Sequence, residues 1–387
     1  MKIVWLSHSE GLAAGAELCL WEGTRGLVSS GHDLHVIAPA RGRLAERLTD
    51  SNVPVTVIPY RWWMHSRLRL PLKRLYQNVV AAKRIAELFR QLRPDVAISN
   101  TLTIPSGAWA ARQAGIPHIW YIHEFGREDH GLKFDLGKRL SLGMVSRLSD
   151  AVIVNSHAVR RKFSTAIKAS RLHVIYYAVD FAIPPAAAEL QEDPFRLCLI
   201  GRICAGKGQE DALRAVGRLR EKGIGAYLSL VGNENADYGR FLRRLAKDLA
   251  IESQVAFVAF TEDPFAIMTR SHAALMCSRS EAFGRVTVEA MKLGKPVVGV
   301  DRGATSELIH DGKTGLLYPP GDAEALSRKI ELLVRDRSLL KALGENAREW
   351  SHRTCSLETY TAALYGILKK ALDARSESLR ETRQTIP

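Results

Sequence analysis

Cysteine is scarce in this chain. Cys19, Cys198, Cys204, Cys277 and Cys355 are scattered over 387 residues, odd in number, with no C-x-x-C pair. That argues against a disulfide framework and against a structural zinc site, and a reducing cytoplasm is the expected compartment. Long apolar runs are missing too: no stretch approaches the roughly 18 residues of a membrane span. The opening MKIVWLSHSEG has a short apolar run and no cleavage pattern behind it, so neither export by that route nor integral insertion is expected. The chain contains no D-x-D triplet, no H-E-x-x-H and no G-x-x-x-x-G-K-[ST]. No metal or other cofactor and no Walker-type phosphate loop are therefore expected.

What is present is a basic, ordinary globular composition: 46% hydrophobic, 25% charged, net charge +14. The excess is uneven. Residues 1–190 carry 25 Lys and Arg against 15 Asp and Glu, and the remainder 30 against 26. The partner of the first half should accordingly be acidic. A nucleic-acid-binding protein is the reading charge alone suggests, but no recognisable binding module accompanies it, and no nucleic-acid partner is expected.

Short apolar runs alternate with helix-period stretches along the chain: KIVWLS, DLHVIAP, PDVAISN, HIWYIHE and DAVIVNS, then FRLCLIG, AYLSLVG, VAFVAF, AALMCS and PVVGV. The alternation indicates parallel sheets covered on both faces. The length suits two domains. The expected fold class is α/β: two doubly wound Rossmann-like domains facing a central cleft, residues 1–183 and 195–354. The Pro- and Ala-rich segment 184–194 reads as a linker. Residues 355–387 form a last helix, expected to pack back towards the N-terminal domain, and a tail. In such sheets ligands bind beyond the carboxyl ends of the strands, so the turns there are the places to look.

After the first run comes SEGLAAGAEL, where Gly15 is the likeliest point of close backbone approach because it has no Cβ. After FRLCLIG comes GRICAGKGQ. Arg202 and Lys207, on a loop with Gly201, can hold a diphosphate, Arg through two oxygens and Lys as a point charge. After AALMCS comes EAFGRVTVEAM: Glu281 in the loop, Phe283 and Gly284 at the turn, Arg285 and Val286 following. A helix from Val286 or Thr287 puts Glu289 in its first turn, where the helix dipole favours a carboxylate by about 0.3–1 kcal/mol. Two carboxylates at one such turn suit the vicinal hydroxyls of a ribose or hexose, and a sugar nucleotide carries both, with a diphosphate between.

The run SRSEAFGRVTVEAMKLGKPVVGVDRGATSELIHDGKTGLLYPPGD resembles the signature of retaining glycosyltransferases of the GT4 type, which have the GT-B fold. Weaker agreement extends over nearly the whole chain, through AGAE, RPDVAISN, YIHE, VIVNS and YAVD. The resemblance implies that Glu289 holds the donor ribose, Glu281 contacts the transferred sugar, and Arg202 and Lys207 neutralise the diphosphate. Backbone N–H groups after Phe283 add to that cradle. It assigns His123, at the end of HIWYIHE, to the donor sugar, and Gly15 to the pyrophosphate and acceptor. It also implies same-face attack, with the departing phosphate taking the acceptor proton. The donor is then UDP- or GDP-linked, and the acceptor a lipid-linked or cell-surface glycan. Three positions depart from the family pattern: Ala14-Gly15 replaces a glycine pair, YAVD stands for NGVD, and Ala259 for the glycine of F-x-G.

The segment YRWWMHSRLRLPLKRLYQNVVAAKRIAELFRQLR holds nine Arg and Lys and one acid. Leu68, Leu72, Leu75, Val79 and Ala82 mark an apolar helix stripe read as core. Arg61, Trp62, Trp63, Arg67, Arg69, Lys73 and Arg74 are the candidate surface for an anionic membrane, on the inner face of the cell membrane. A second acid-free cluster runs from Arg160 to Arg171. The alternative functional readings are a sugar-nucleotide epimerase of the same fold and a non-catalytic nucleotide-sugar-binding protein.

Overall fold

The computed structural model describes residues 1–66, 72–184 and 193–384. The chain divides into two units, Met1–Asp180 with Leu357–Pro387, and Phe181–Ser356. In the first, the strands are β1 (Lys2–Leu6), β2 (Asp33–Ala38), β3 (Val55–Val57), β4 (Met64–His65), β5 (Val96–Asn100), β6 (His118–Ile122), β7 (Lys133–Phe134), β8 (Ala151–Val154) and β9 (Leu172–Val174). The second carries β10 (Phe195–Ile200), β11 (Ala226–Val231), β12 (Val255–Val258), β13 (Ala273–Met276), β14 (Val297–Val300) and β15 (Gly315–Tyr318).

Seven strands of the first unit form one parallel sheet, ordered β3-β2-β1-β5-β6-β8-β9, while β4 and β7 make a small antiparallel pair. The six strands of the second are parallel, ordered β12-β11-β10-β13-β14-β15. Central strands such as HIWYI and AALM are buried along their whole length. That is why they read as continuous apolar runs instead of alternating ones: helices cover both faces. The strand order reverses between β1 and β5 in one unit and between β10 and β13 in the other, which places each ligand-binding turn at those carboxyl ends.

The C-terminal helix Leu357–Gln384 lies against helix Gly15–Ser29 of the first unit. Two glycines of the latter allow the approach: a Cβ on Gly26 would stand 2.0 Å from Thr361 Oγ1, and one on Gly23 3.1 Å from the Tyr360 hydroxyl. Tyr360 is buried there, its hydroxyl 3.2 Å from Cys19 Sγ.

The basic helix Leu72–Leu92 corrects two expectations. Its buried face is Asn78, Ala81, Ala82, Ile85, Ala86 and Phe89. Leu72 and Tyr76 are instead 70% and 69% exposed, and Val79 is also exposed. Of the expected stripe Ala82 is in the core, and the buried face runs on through Ile85, Ala86 and Phe89 and not through Leu72 and Val79. Trp63 is not a surface residue: it is 3% exposed, donates Nε1–H to the Leu102 carbonyl at 2.7 Å and stacks on Trp120. Trp62 does reach the surface. Arg74 is not an open charge either, since its Nε and Nη2 sit on the two oxygens of Asp135 at 3.0 and 2.7 Å. Arg67, Leu68 and Arg69 lie outside the described residues. No helix among the described residues is long and apolar enough to cross a membrane.

Candidate functional site

In the second unit three loops meet beyond the carboxyl ends of β10, β13 and β14. Their closeness rests on residues without side chains. Gly208 has φ +69, and a Cβ on it would stand 2.1 Å from the Cys277 carbonyl oxygen, so only glycine lets the first loop lie against the end of β13. Arg279 N–H then donates to Gly206 O at 3.0 Å, and Ala304 N–H to the Glu281 carbonyl at 3.0 Å. At Gly201, φ is +148 and the N–H bonds Val231 O, which ties the loop's start to the neighbouring strand.

Across this junction Lys207 Nζ donates to Glu281 Oε2 at 2.8 Å. Both groups keep some solvent contact. A partly exposed pair of this kind contributes little net stability, about 0–1 kcal/mol. A phosphate can thus draw Lys207 away from Glu281 at little cost. Arg202 is exposed, and its carbonyl accepts a hydrogen bond from Gln209 Nε2.

Helix Arg285–Lys292 follows Gly284, whose φ is +92. The sequence-based start at Val286 or Thr287 needs correcting: the helix begins at Arg285, so Glu289 lies one full turn in. The dipole term fades over that distance. The charge of Glu289 is met instead by Arg285, whose Nε is 3.0 Å from Oε1 in a pair only about a tenth exposed on each side. The backbone N–H groups of Arg285 and Val286 precede the first intrahelical donor and point out of the helix start, where an anion is welcome. Phe283 is buried under the turn. Beside Gly284, Thr287 Oγ1 is buried with no hydrogen-bond partner among the described residues. A site built for hydroxyls has use for such a group.

The first unit's switch point has a different character. Glu17 gathers the turn after β1: its carboxylate accepts from Ser9 Oγ, from Ala13 N–H at 2.7 Å and from Ala14 N–H at 3.0 Å. Burial works against that charge, but the hydrogen bonds and nearby His8 hold its pKa below the usual range. Gly15 opens the following helix, with the Tyr177 ring 3.9 Å from where its Cβ would be.

His123 is buried, and both its ring nitrogens are engaged. Asn100 Nδ2 donates to the Ala16 carbonyl at 2.9 Å, which turns Asn100 Oδ1 towards His123 Nε2 at 2.8 Å. An amide oxygen only accepts, so Nε2 carries the proton and Nδ1 is the acceptor. Tyr177 donates its hydroxyl to Nδ1 at 2.6 Å and accepts from Asn155 Nδ2 at 2.9 Å. Burial, and then His8, push the imidazole's pKa well below its ordinary value. The side chain is thus held as one neutral tautomer. Next to it, burial raises the Glu124 carboxyl to about 8, even though it accepts from Leu102 and His123 N–H.

This network yields a prediction. Tyr177→Phe removes the donor that stabilises neutral His123, so the imidazole's pKa should rise, while burial still holds it below its ordinary value. In ¹⁵N spectra the wild type should show protonated Nε2 and a hydrogen-bonded, unprotonated Nδ1. In the variant Nδ1 should lose that bond and begin to titrate at a higher pH. Finding the proton on Nδ1 in the wild type would overturn the assignment.

The structure brings together Lys207 with Glu281 and Arg285 with Glu289, at the two ends of one turn. Sequence reasoning missed Asn100, Glu17, Thr287 and Tyr177. All four lie inside stretches the resemblance rests on, AGAE, RPDVAISN, the EAFGRVTVEAM run and YAVD, but no role is read for them from the sequence.

Residues 13–182 match the family described as Glycosyltransferase Family 4, and residues 183–350 match Glycosyl transferases group 1. The lipopolysaccharide core biosynthesis glycosyltransferase LpsE of Rhizobium meliloti is 26% identical over 86% of this chain and 89% of its own. A GDP-mannose-dependent alpha-(1-6)-phosphatidylinositol monomannoside mannosyltransferase of Mycolicibacterium smegmatis is 29% identical over 61% and 66%. Among solved structures, Anabaena Alr3699/HepE in complex with UDP superposes with a TM-score of 0.78 at 24% identity, covering 96% of this chain and 100% of that one. The shared architecture is the GT-B fold.

Proposed function

The chain belongs to the family 4, group 1 glycosyltransferases, and from that premise we propose that it moves a sugar from a nucleoside diphosphate-sugar to an acceptor hydroxyl, with retention and without a metal ion. The observation that carries this reading is the double pairing of carboxylate and cation in the second unit, Lys207–Glu281 between two adjoining loops and Arg285–Glu289 within the helix that follows. When the donor binds, Glu289 takes the ribose hydroxyls and Glu281 those of the transferred sugar. Lys207, Arg202 and the helix-start N–H groups take the diphosphate. As the bond from C1 to the phosphate oxygen breaks, negative charge grows on the diphosphate, and these fixed positive groups meet it. The acceptor oxygen bonds C1 from the same face, and its proton passes to the departing phosphate. His123, locked neutral with its proton on Nε2, serves the donor sugar by its fixed position and transfers no proton.

The test is a thermal-shift panel of UDP-, GDP-, ADP- and dTDP-sugars, followed by assay of nucleoside diphosphate release. A donor at 100 times its Kd should add about 2.7 kcal/mol of stability. Release only in the presence of acceptor supports transfer. Turnover of the donor sugar to its epimer without acceptor would replace this reading, and no shift with any donor would refute it.

We further propose a lipid-linked or cell-surface glycan as acceptor, met at an anionic membrane. The names of LpsE and of the phosphatidylinositol mannoside transferase support the acceptor class. Helix Leu72–Leu92 supports the docking: Leu72, Tyr76 and Val79 form one exposed apolar stripe, which continues along the same face through Lys83 and Arg90. An amphipathic face of this kind binds through apolar area and attraction to anionic lipid together. Binding to vesicles containing phosphatidylglycerol should weaken as salt rises and fall in Tyr76→Glu. Equal binding to neutral vesicles at every salt concentration would exclude the docking.

A further inference from the structure

Along the edge strand β9, beside helix His157–Phe163, the first unit has an open pocket of about 530 Å³ that glycosyl transfer at the donor loops leaves unused. Helix His157–Phe163 contributes His157 and Arg160, β9 contributes His173, and Ser170 adds a hydroxyl. Tyr176 and Ile367 of the C-terminal helix supply an apolar wall. None of the residues lining it is acidic.

The charges of the surrounding segment are not all available. Lys162 is paired with Glu128, and Arg171 donates to the Ser146 and Ser149 carbonyls. Arg160 is different: among the described residues neither it nor Lys370 has a carboxylate partner. Both lie close enough to His173 to act on it. Burial first, then Lys370 and Arg160, push its pKa down, so its ring is neutral near pH 7 and able to share a hydrogen bond. Arg160 in the lining and Lys370 nearby, with the His173 imidazole and the Ser170 hydroxyl, leave a demand for negative charge and for acceptor oxygens. A pocket of this size also exceeds a bare inorganic anion and lies in the range of small-molecule sites.

We propose that this pocket is a binding site for a phosphate-bearing small molecule: Arg160 takes two phosphate oxygens, Lys370 adds a point charge, and the organic body rests against Tyr176 and Ile367. Guanidinium matches the phosphate fork in geometry, and the donor-loop residues have no part in it. The phosphate can belong to a soluble phosphomonoester or to a lipid headgroup.

Calorimetry on the full chain separates these sources and separates this site from the donor loops. The probes are inorganic phosphate, a hexose phosphate and a short-chain phosphatidic acid below its micelle concentration. Binding should weaken at least tenfold in Arg160→Gln and in Lys370→Gln, and persist in Lys207→Ala. Thermal unfolding of the ligand-free Arg160→Gln and Lys370→Gln proteins should match wild type, which removes misfolding as an explanation. Tighter binding of the hexose phosphate assigns a soluble ligand, and tighter binding of the phosphatidic acid assigns a headgroup. Binding lost in Lys207→Ala but kept in Arg160→Gln places the anion at the donor loop and overturns the proposal, as does no binding of any probe at millimolar concentration. Because the readout is binding in Lys207→Ala, failure here leaves the glycosyltransferase reading standing, and the reverse.

Discussion

Glu289→Gln should lose the stabilisation that the cognate nucleotide-sugar gives the wild type, with donor affinity falling by one to two orders of magnitude. A hydrogen bond to a charged group contributes about 1.5–3 kcal/mol, which is a factor of roughly 10 to 150. Gln keeps one acceptor oxygen and the side chain's shape, so the expected loss lies in that range and not beyond it. Glu289→Ala should lose affinity too, but also intrinsic stability, because Arg285 is left in a largely buried place without the carboxylate 3.0 Å away. Breaking a buried pair by removing one partner costs about 3–5 kcal/mol, and this pair's slight exposure puts the cost below that. The two variants therefore separate ribose recognition from support of the helix. Undiminished donor affinity in Glu289→Gln, measured by titration calorimetry, would exclude the ribose contact.

Lys207→Ala should act on the rate more than on binding. Losing one preorganised positive group from the leaving diphosphate costs about 10²–10³ in kcat by analogy with oxyanion donors. In the ligand-free protein Lys207 holds Glu281 at 2.8 Å, so the single substitution also alters the carboxylate. The double variant Lys207→Ala/Glu281→Ala settles which effect dominates. If Lys207 serves the diphosphate, the double variant should be slower than either single one. If it serves only to position Glu281, the double variant should be no slower than Glu281→Ala, and the charge-neutralising role would have to be given up. Arg202→Ala should follow Lys207→Ala in direction, with a smaller loss because Arg202 is exposed to solvent that screens it.

Much of the architecture was legible from local patterns. Strand runs such as HIWYI and AALM announce themselves because burial on both faces makes every residue apolar, and a turn after such a run is a candidate site by topology alone. The spacing of Glu281 and Glu289 about one turn identified the residues with hydroxyl-binding chemistry. Only one of their cationic partners could be paired from spacing in the same way. Arg285 lies four residues from Glu289 and would have been found by placing the helix start correctly. Lys207 is 74 positions from Glu281, and their contact exists only because β10 and β13 are neighbours in the sheet.

The same distinction explains the misreadings. In helix Leu72–Leu92 periodicity shows an apolar stripe, but two stripes compete there, and the one through Leu72, Tyr76 and Val79 faces outward. The core face is set by what packs against it, and the small residues Ala81, Ala82 and Ala86 admit the close approach of the neighbouring helix Ser106–Ala114. Trp63 looked like its neighbour Trp62 because a pair of tryptophans carries no sign of direction. Leu102 and Trp120, remote in sequence, decided which of them is buried. His123 was found as a strand-end residue, while its tautomer depends on Asn100, Tyr177 and Asn155, brought from three other segments. Sequence by itself determined the alternation of strands and helices, the turns that hold chemistry and the kinds of group they present, since each follows from residues within one or two turns of one another. Which charges neutralise each other, which ring faces solvent and which nitrogen holds a proton were decided only by the tertiary structure, because these depend on distances of about 3 Å between segments that the chain itself keeps far apart.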